Sequence, residues 1–147
     1  MRKILPPTYF FACLIISVVL HYTLYSIEII HYPFNLTGFL FFVLGTGLNI
    51  WPDQQLKKEK TTVKPFEKPS ALIQTGAYKI SRNPMYLGMS LLLMGAGFIL
   101  GSIASFVGTI IFIASMEIIF IPEEERNMKM QFGEEFETYK KRVRRWL

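Results

Sequence analysis

Every one of the sixteen Lys and Arg residues falls in one of three segments, and the stretches between them, 4–56 and 83–125, contain none. A helix needs ~20 apolar residues to cross the hydrocarbon core of a bilayer. Each cation-free stretch is therefore long enough for two crossings joined by a short turn. The reading places spans at Tyr9–Ile30, Asn35–Trp51, Met85–Leu100 and Ile103–Ile121. His31-Tyr32-Pro33-Phe34 separates the first pair, and Gly101-Ser102 makes a tight helical hairpin of the second. Spans two and three are short, which predicts tilt or an uneven depth. The predicted fold is an all-α polytopic membrane helix bundle of about four transmembrane helices. With 147 residues it forms a single domain over 1–147 and leaves no length for a separate catalytic module.

Four spans bring both termini and the 52–82 loop to one side, and with them every cation. The positive-inside rule makes that side cytoplasmic. The formal charge of +5 therefore addresses anionic lipid headgroups rather than nucleic acid. The first apolar run is too long for a secretory signal peptide and lacks a small-residue cleavage site before Asn35. Cys13 is alone, which excludes a disulfide framework and a cysteine metal site, and no His/carboxylate set has metal-ligand spacing. Gly38, Gly45 and Gly47 in span two, and Gly88, Gly95 and Gly97 in span three, read as helix-packing positions. Within the polar loop, Pro65-Phe66-Glu67-Lys68-Pro69 is expected to run extended. The tail starts a new helix at Pro122 with Glu123-Glu124-Glu125 in its first turn, and Gly133 interrupts it. Phe136, Tyr139, Val143 and Trp146 then recur at helical spacing opposite Lys140, Lys141, Arg142, Arg144 and Arg145. This predicts an amphipathic C-terminal helix on the cytoplasmic leaflet, anchored by Trp146.

Two clusters can carry chemistry. In Arg82-Asn83-Pro84-Met85-Tyr86, Asn83 precedes a proline and is placed to cap the third span, with Pro84 at the first helical position. A helix N-terminus beside Arg82 is an anion site, and Tyr78 and Tyr86 add aromatic surface. Where the fourth span leaves the membrane, at the same depth, stands Glu123-Glu124-Glu125. Three adjacent acids cannot share one helical face, so Glu124 and Glu125 turn inward and Glu123 stays wet. An anion-binding helix end, an Arg, aromatic rings and an acidic wall suit a zwitterionic ligand, such as an amino acid carrying a sugar and a base. Glu117, one turn before the acids, needs a partner, a cavity or water at that depth. Glu28 and His21 are expected to face the bundle interior.

At these residues the chain resembles the isoprenylcysteine carboxyl methyltransferase and phospholipid methyltransferase group of integral membrane enzymes. The likeness runs from Thr61-Thr62-Val63 and Pro65 through Leu72-Ile73-Gln74-Thr75-Gly76-Ala77-Tyr78 and Arg82-Asn83-Pro84-Met85-Tyr86-Leu87-Gly88. It closes with Glu124-Glu125, Phe132-Gly133-Glu134-Glu135-Phe136, Tyr139 and Arg142-Val143, so it covers 61–147. The resemblance implies S-adenosylmethionine as cofactor. It implies cofactor contacts from Ser70, Ala71, Leu72, Ile73, Tyr78, Arg82, Asn83, Pro84, Met85, Tyr86 and Glu124, with Glu125 beside them. Asn83 stands where family members often have His. Phe120 stands nearest to a substrate-contacting Arg of the eukaryotic isoprenylcysteine enzymes, which argues against a prenylated-cysteine carboxylate as acceptor.

The expected activity is methyl transfer to a lipophilic or membrane-embedded acceptor, either isoprenylcysteine-carboxylate-like or phospholipid-amine-like, with Arg82, Glu125 and Glu117 as the candidate catalytic residues. An acceptor amine or thiol must lose a proton, which Glu125 or Glu117 can take. Two other classes stay open on residues alone. One is a non-catalytic four-span binding or assembly protein. The other is a nicotinamide-dependent membrane reductase, which needs more room for a dinucleotide than the 52–82 loop offers.

Overall fold

The computed structural model describes residues 5–24, 27–60 and 70–147. Among them there is no strand, and four long helical stretches form the bundle. The first, α1, runs Pro6–Thr23, with proline in its first turn where the missing N–H costs nothing. A single 3₁₀ turn, Phe34–Thr37, leads into α2, Gly38–Lys58. After the loop comes α3, Pro84–Leu100, again opened by proline. The last stretch holds a 3₁₀ turn at Ile103–Phe106, α4 at Val107–Ser115, a π-helical segment at Met116–Phe120 and α5 at Ile121–Arg142.

Several boundaries differ from the sequence expectation. The first span was expected to reach Ile30, but α1 ends at Thr23. Residues 27–30 instead lie against the α3–α4 turn. Ile29 and Ile30 N–H donate to Gly101 O at 2.8 and 3.0 Å, and Ile103 N–H donates to Ile27 O at 3.2 Å. Those backbone groups find partners across the hairpin, so no further helical turn is needed to satisfy them. Glu28 does not face the interior; its side chain is 65% exposed and 3.9 Å from His31. His21 does turn in, sharing a 2.9 Å hydrogen bond with Ser102 Oγ. The second span is not short: α2 continues past Trp51, carries Pro52 inside it and ends with Lys57 and Lys58 in its last turn. Cations in a last helical turn suit the macrodipole. Finally, Pro122 starts no new helix. The fourth crossing passes through the π-helical segment directly into α5, and Gly133 (φ 52, ψ −122) then kinks it, as its position suggested. The Pro65–Pro69 segment lies outside the described residues.

α3 is the hub, packed on α1, α2 and α4. Its 17 residues span roughly 26 Å at the α-helical rise, slightly less than the ~30 Å apolar thickness. Against α2 it is held by two close crossings seven residues apart on each helix. A Cβ at Gly38 would sit 2.5 Å from Gly95 O, and one at Gly45 would sit 2.7 Å from Gly88 O. The pairing of 38 with 95 and 45 with 88 makes the helices antiparallel. Gly47 has open space where a Cβ would stand, so it is not a packing glycine. The core between α1, α3 and α4 is Cys13, Leu93 and Phe112, continued by Met116, Phe120 and Ile121 toward Tyr86. Residues of the π-helical segment thus fill the space below Tyr86, with Phe120 edge-on to Tyr9.

Candidate functional site

The end of α3 that starts at Pro84 opens into a cavity of about 300 Å³. Five pieces of chain wall it. They are the start of α1 (Leu5, Pro6, Pro7), the end of α2 (Asp53, Leu56), the loop at Ala71, Leu72 and Ile73, the Tyr78–Met89 region, and α5 with Glu124, Glu125, Asn127, Met128, Phe136 and Tyr139. The loop is fixed to α2 by Gln55, whose Oε1 accepts from Ala77 N–H at 3.1 Å and whose Nε2 donates to Thr75 O at 3.3 Å. Gly76 turns between them at φ +58, a conformation that favours glycine. On the other side, Tyr139 donates its hydroxyl proton to Tyr78 O at 2.7 Å, and Gln74 Nε2 donates to Glu135 at 2.8 Å. The loop is thereby tied to both α2 and α5.

The two acids at the exit of the fourth crossing behave oppositely. Glu124 accepts a short hydrogen bond from the Tyr86 hydroxyl. Burial pushes its carboxyl up to about 7; the Tyr86 hydrogen bond opposes this and the Glu125 charge adds to it. Glu125 is also penalised by burial, but the hydrogen bond from Arg145 and the charges of Arg82, Arg145 and Lys140 hold it below the usual carboxylate range. Arg145 Nε and Nη2 each donate to one Glu125 oxygen at 2.9 Å, and Arg82 Nη1 lies 2.8 Å from Oε1. Arg82 is only 8% exposed. Its Nη1 faces Glu125 as an ion pair without hydrogen-bond alignment, and neither Nη1 nor Nε has a hydrogen-bond partner among the described residues. Tyr139 is pushed to about 12 and Tyr78 higher still, mainly by burial, so both phenols stay neutral. The walls therefore offer one carboxyl near half-ionisation at neutral pH, one fixed carboxylate, a buried guanidinium with donors to spare, and four aromatic rings.

Of the eleven positions implied for cofactor contact, ten line this cavity. Ser70 does not; its hydroxyl donates to Lys60 O at 3.4 Å. Of the three candidate catalytic residues, Arg82 and Glu125 line it and Glu117 does not. Glu117 is held outside by Arg145 Nη1 and by Trp146 Nε1, the latter at 2.9 Å. Asn83 does not cap α3 with its side chain. Its Nδ2 donates instead to Arg145 O at 3.0 Å. Trp146 is not a surface anchor: the helix ends at Arg142, and Trp146 packs against the core cluster.

Sequence reasoning left Asp53, Met89 and Met128 out, and placed Phe136, Tyr139 and Arg145 on the amphipathic tail helix without giving them a part in the site. The spacing of Phe136 and Tyr139 was visible as one apolar helix face. What that face covers was not visible, because it depends on the kink at Gly133. Nothing in the order of residues announces that Arg145 reaches back to Glu125.

Comparison with known proteins bears on the same region. The sequence model of the phospholipid methyltransferase family matches residues 34–135, which takes in α2, the loop, α3, α4 and the acidic half of α5. An uncharacterized protein of Haemophilus influenzae is 40% identical over 63 residues, covering 43% of this chain and all of that protein.

Proposed function

The chain belongs to the phospholipid methyltransferase family, and we propose that its cavity binds S-adenosylmethionine and passes the methyl group to a lipophilic acceptor held at the membrane interface. The observation that carries this reading is the meeting of Arg82 and Tyr86, from the start of α3, with Glu125 and Glu124, from the exit of the fourth crossing, on one cavity. Family membership itself points to a membrane methyltransferase, and the apolar helices agree with an integral membrane protein.

The residues present fit the cofactor. Arg82 carries buried N–H donors without a hydrogen-bond partner among the described residues, its Nη1 meeting Glu125 only as an ion pair, which suits a carboxylate. Glu124 suits an ammonium or hydroxyl group. Tyr78, Tyr86, Phe136 and Tyr139 give faces for an aromatic base and for a cationic sulfur. When bound, the cofactor supplies an electrophilic methyl group for in-line displacement. The protein's part is to hold the reacting atoms in line and keep water away. The loop tied between α2 and α5 closes the polar side, while Leu5, Pro6, Pro7 and Met89 give the cavity an apolar side for the acceptor.

The proton role moves from Glu125 and Glu117 to Glu124. Glu125 is held ionised by the guanidinium groups of Arg145 and Arg82, which makes it a weak base, and Glu117 lies outside the cavity. Glu124 exchanges a proton near neutrality, and a base with that property is matched to accepting one from an amine or thiol. The cavity end faces the cytosol in this reading, because the described Lys and Arg side chains gather there.

Calorimetric titration of the detergent-purified chain with S-adenosylhomocysteine tests the proposal. Micromolar-order affinity is expected, a common range for enzyme ligands. Arg82→Ala and Glu124→Ala should each weaken it while the protein stays folded. A folded wild-type chain that takes up none of the ligand, or full affinity in both variants, would overturn the reading.

A further inference from the structure

The five residues after α5 cross back over the site. Val143 is extended (φ −124, ψ 131), and the chain then runs along the start of α3. Arg82 N–H donates to Arg144 O at 3.0 Å, Ser81 Oγ donates to Arg145 O at 2.9 Å, and Asn83 Nδ2 donates to the same carbonyl at 3.0 Å. Three consecutive residues before α3 are thus bonded to two consecutive carbonyls near the C-terminus. The side chains of this strap go to the opposite wall. Arg145 grips both oxygens of Glu125 and also Glu117, and Trp146 bonds Glu117. Backbone on one side and side chains on the other join the beginning of the third crossing to the exit of the fourth.

Two guanidinium groups converge on Glu125, but in different ways. Arg145 makes the bidentate, aligned pair, which is the geometry-specific arrangement. Arg82 stands 2.8 Å from the same carboxylate without that alignment. Were Arg145 absent, the aligned position would be open, and Arg82 would take it, because a buried guanidinium with unused donors is costly. Its donors would then be turned away from the cavity.

We propose that residues 143–147 form a positioning strap, in which Arg145 saturates Glu125 and Glu117 so that Arg82 keeps donors for a carboxylate ligand in the cavity. This rests on the methyltransferase reading, whose ligand supplies such a carboxylate through its amino-acid part. Arg145 is a positioning residue: it lies outside the cavity lining and acts through Glu125.

The strap has a signature that a merely structural contact lacks. The groups facing Glu125 are Arg82 before α3, Arg145 of the strap, Lys140 of α5 and the adjacent Glu124. In Arg145→Met, ionised Glu125 captures Arg82. Protonating or neutralising Glu125 releases it again. Titration of the full chain in detergent with S-adenosylhomocysteine should therefore show about tenfold weaker binding in Arg145→Met at pH 7.5, an estimate for losing one charge-assisted contact. The double variant Arg145→Met/Glu125→Gln should recover most of the lost affinity, and Lys141→Ala, an exposed change, should match wild type. Undiminished binding in Arg145→Met, or a double variant no better than the single one, overturns the strap.

If Arg145→Met does not fold, Trp146→Phe serves. It removes one donor from Glu117 and should weaken binding roughly two- to threefold; no change overturns the proposal. A readout without ligand separates this from the cofactor reading. Truncation after Arg142 should speed hydrogen exchange of the Arg82 amide at least about tenfold, since its acceptor is Arg144 O. Unchanged exchange sinks the strap whatever the chain binds, whereas a wild type that binds no ligand sinks the methyltransferase reading.

Discussion

The two ends of α3 are built on different principles. From Gly88 to Gly101 the helix is held by close contact. Gly95 and Gly88 admit the backbone of α2, Gly97 admits the ring of Phe106, and Ser105 Oγ bonds Gly97 O at 3.0 Å. Within that stretch only Met89, in its first turn, reaches the described cavity. From Pro84 to Tyr86 the helix is held by charge and hydrogen bonds reaching to α5 and the C-terminal strap, with the cavity between them. One end is a frame that tolerates no added atom. The other is a site whose polar groups keep unused capacity. Changes at the frame should therefore cost stability, and changes at the site should cost binding with little effect on stability.

The largest effect should come from Gly45→Leu. Its Cβ alone would sit 2.7 Å from Gly88 O and 2.9 Å from Leu92 Cγ. Backbone cannot retreat as a flexible side chain can, so α2 and α3 must separate. Overpacking of this kind costs about 1–3 kcal/mol, and the rest of the leucine adds to it. Thermal unfolding in detergent should show a drop of several degrees or loss of folded protein. An unshifted midpoint would mean that the glycine crossings do not frame the bundle.

Glu124→Ala should do the reverse. We expect roughly tenfold or greater loss of S-adenosylhomocysteine affinity, about 1.4 kcal/mol, with the unfolding midpoint unchanged or raised. The midpoint is not expected to fall because the carboxyl is buried at a cost, as its upward shift records. Parallel losses of binding and stability would erase the contrast between the two ends.

How far this contrast was legible in the sequence follows from the kinds of signal involved. The crossings were legible because apolar length is a local property, and the segregation of Lys and Arg marked their ends. Gly38, Gly45, Gly88 and Gly95 could be read as packing positions, but their pairing could not, since it depends on how two helices meet. Arg82, Tyr86, Glu124 and Glu125 could be brought to one depth by counting residues. The different fates of Glu124 and Glu125 could not. They are set by which acid meets Tyr86 and which meets Arg145, and that follows from the helix continuing unbroken through the π-helical segment and Pro122. The strap was hidden because Val143 to Trp146 keep helical spacing in sequence while leaving the helix in space.

A pH series sharpens the site side of the comparison. Glu124 titrates at about 7 in the folded chain, above its ordinary value of 4.5. The folded state therefore holds that proton more tightly than the unfolded one. The associated stability is fully present below about pH 4.5 and is lost as pH rises through 7. Between pH 5 and 8 the wild-type midpoint should fall by roughly 2–5 °C more than that of Glu124→Gln, which has no proton to lose. A steeper fall in the Gln variant would mean that other groups govern the slope.

The smallest effect belongs to the frame and is the most exacting check on the division. Ser105 is fully buried, and its hydroxyl bonds the carbonyls of Gly97 and Ser102 at the α3–α4 turn. Ser105→Ala removes the donor but adds no atom, and both carbonyls lie beside other donors: Gly97 O also accepts from Gly101 N–H at 2.9 Å, and Ser102 O from Ser105 N–H at 3.2 Å. Only the net value of one hydrogen bond should be lost, about 1 kcal/mol. The unfolding midpoint should drop by a few degrees, while S-adenosylhomocysteine affinity stays within twofold of wild type. If so small a change at the hairpin weakened the ligand tenfold, α3 would have to transmit strain along its whole length to Arg82, and the frame and the site would be one device.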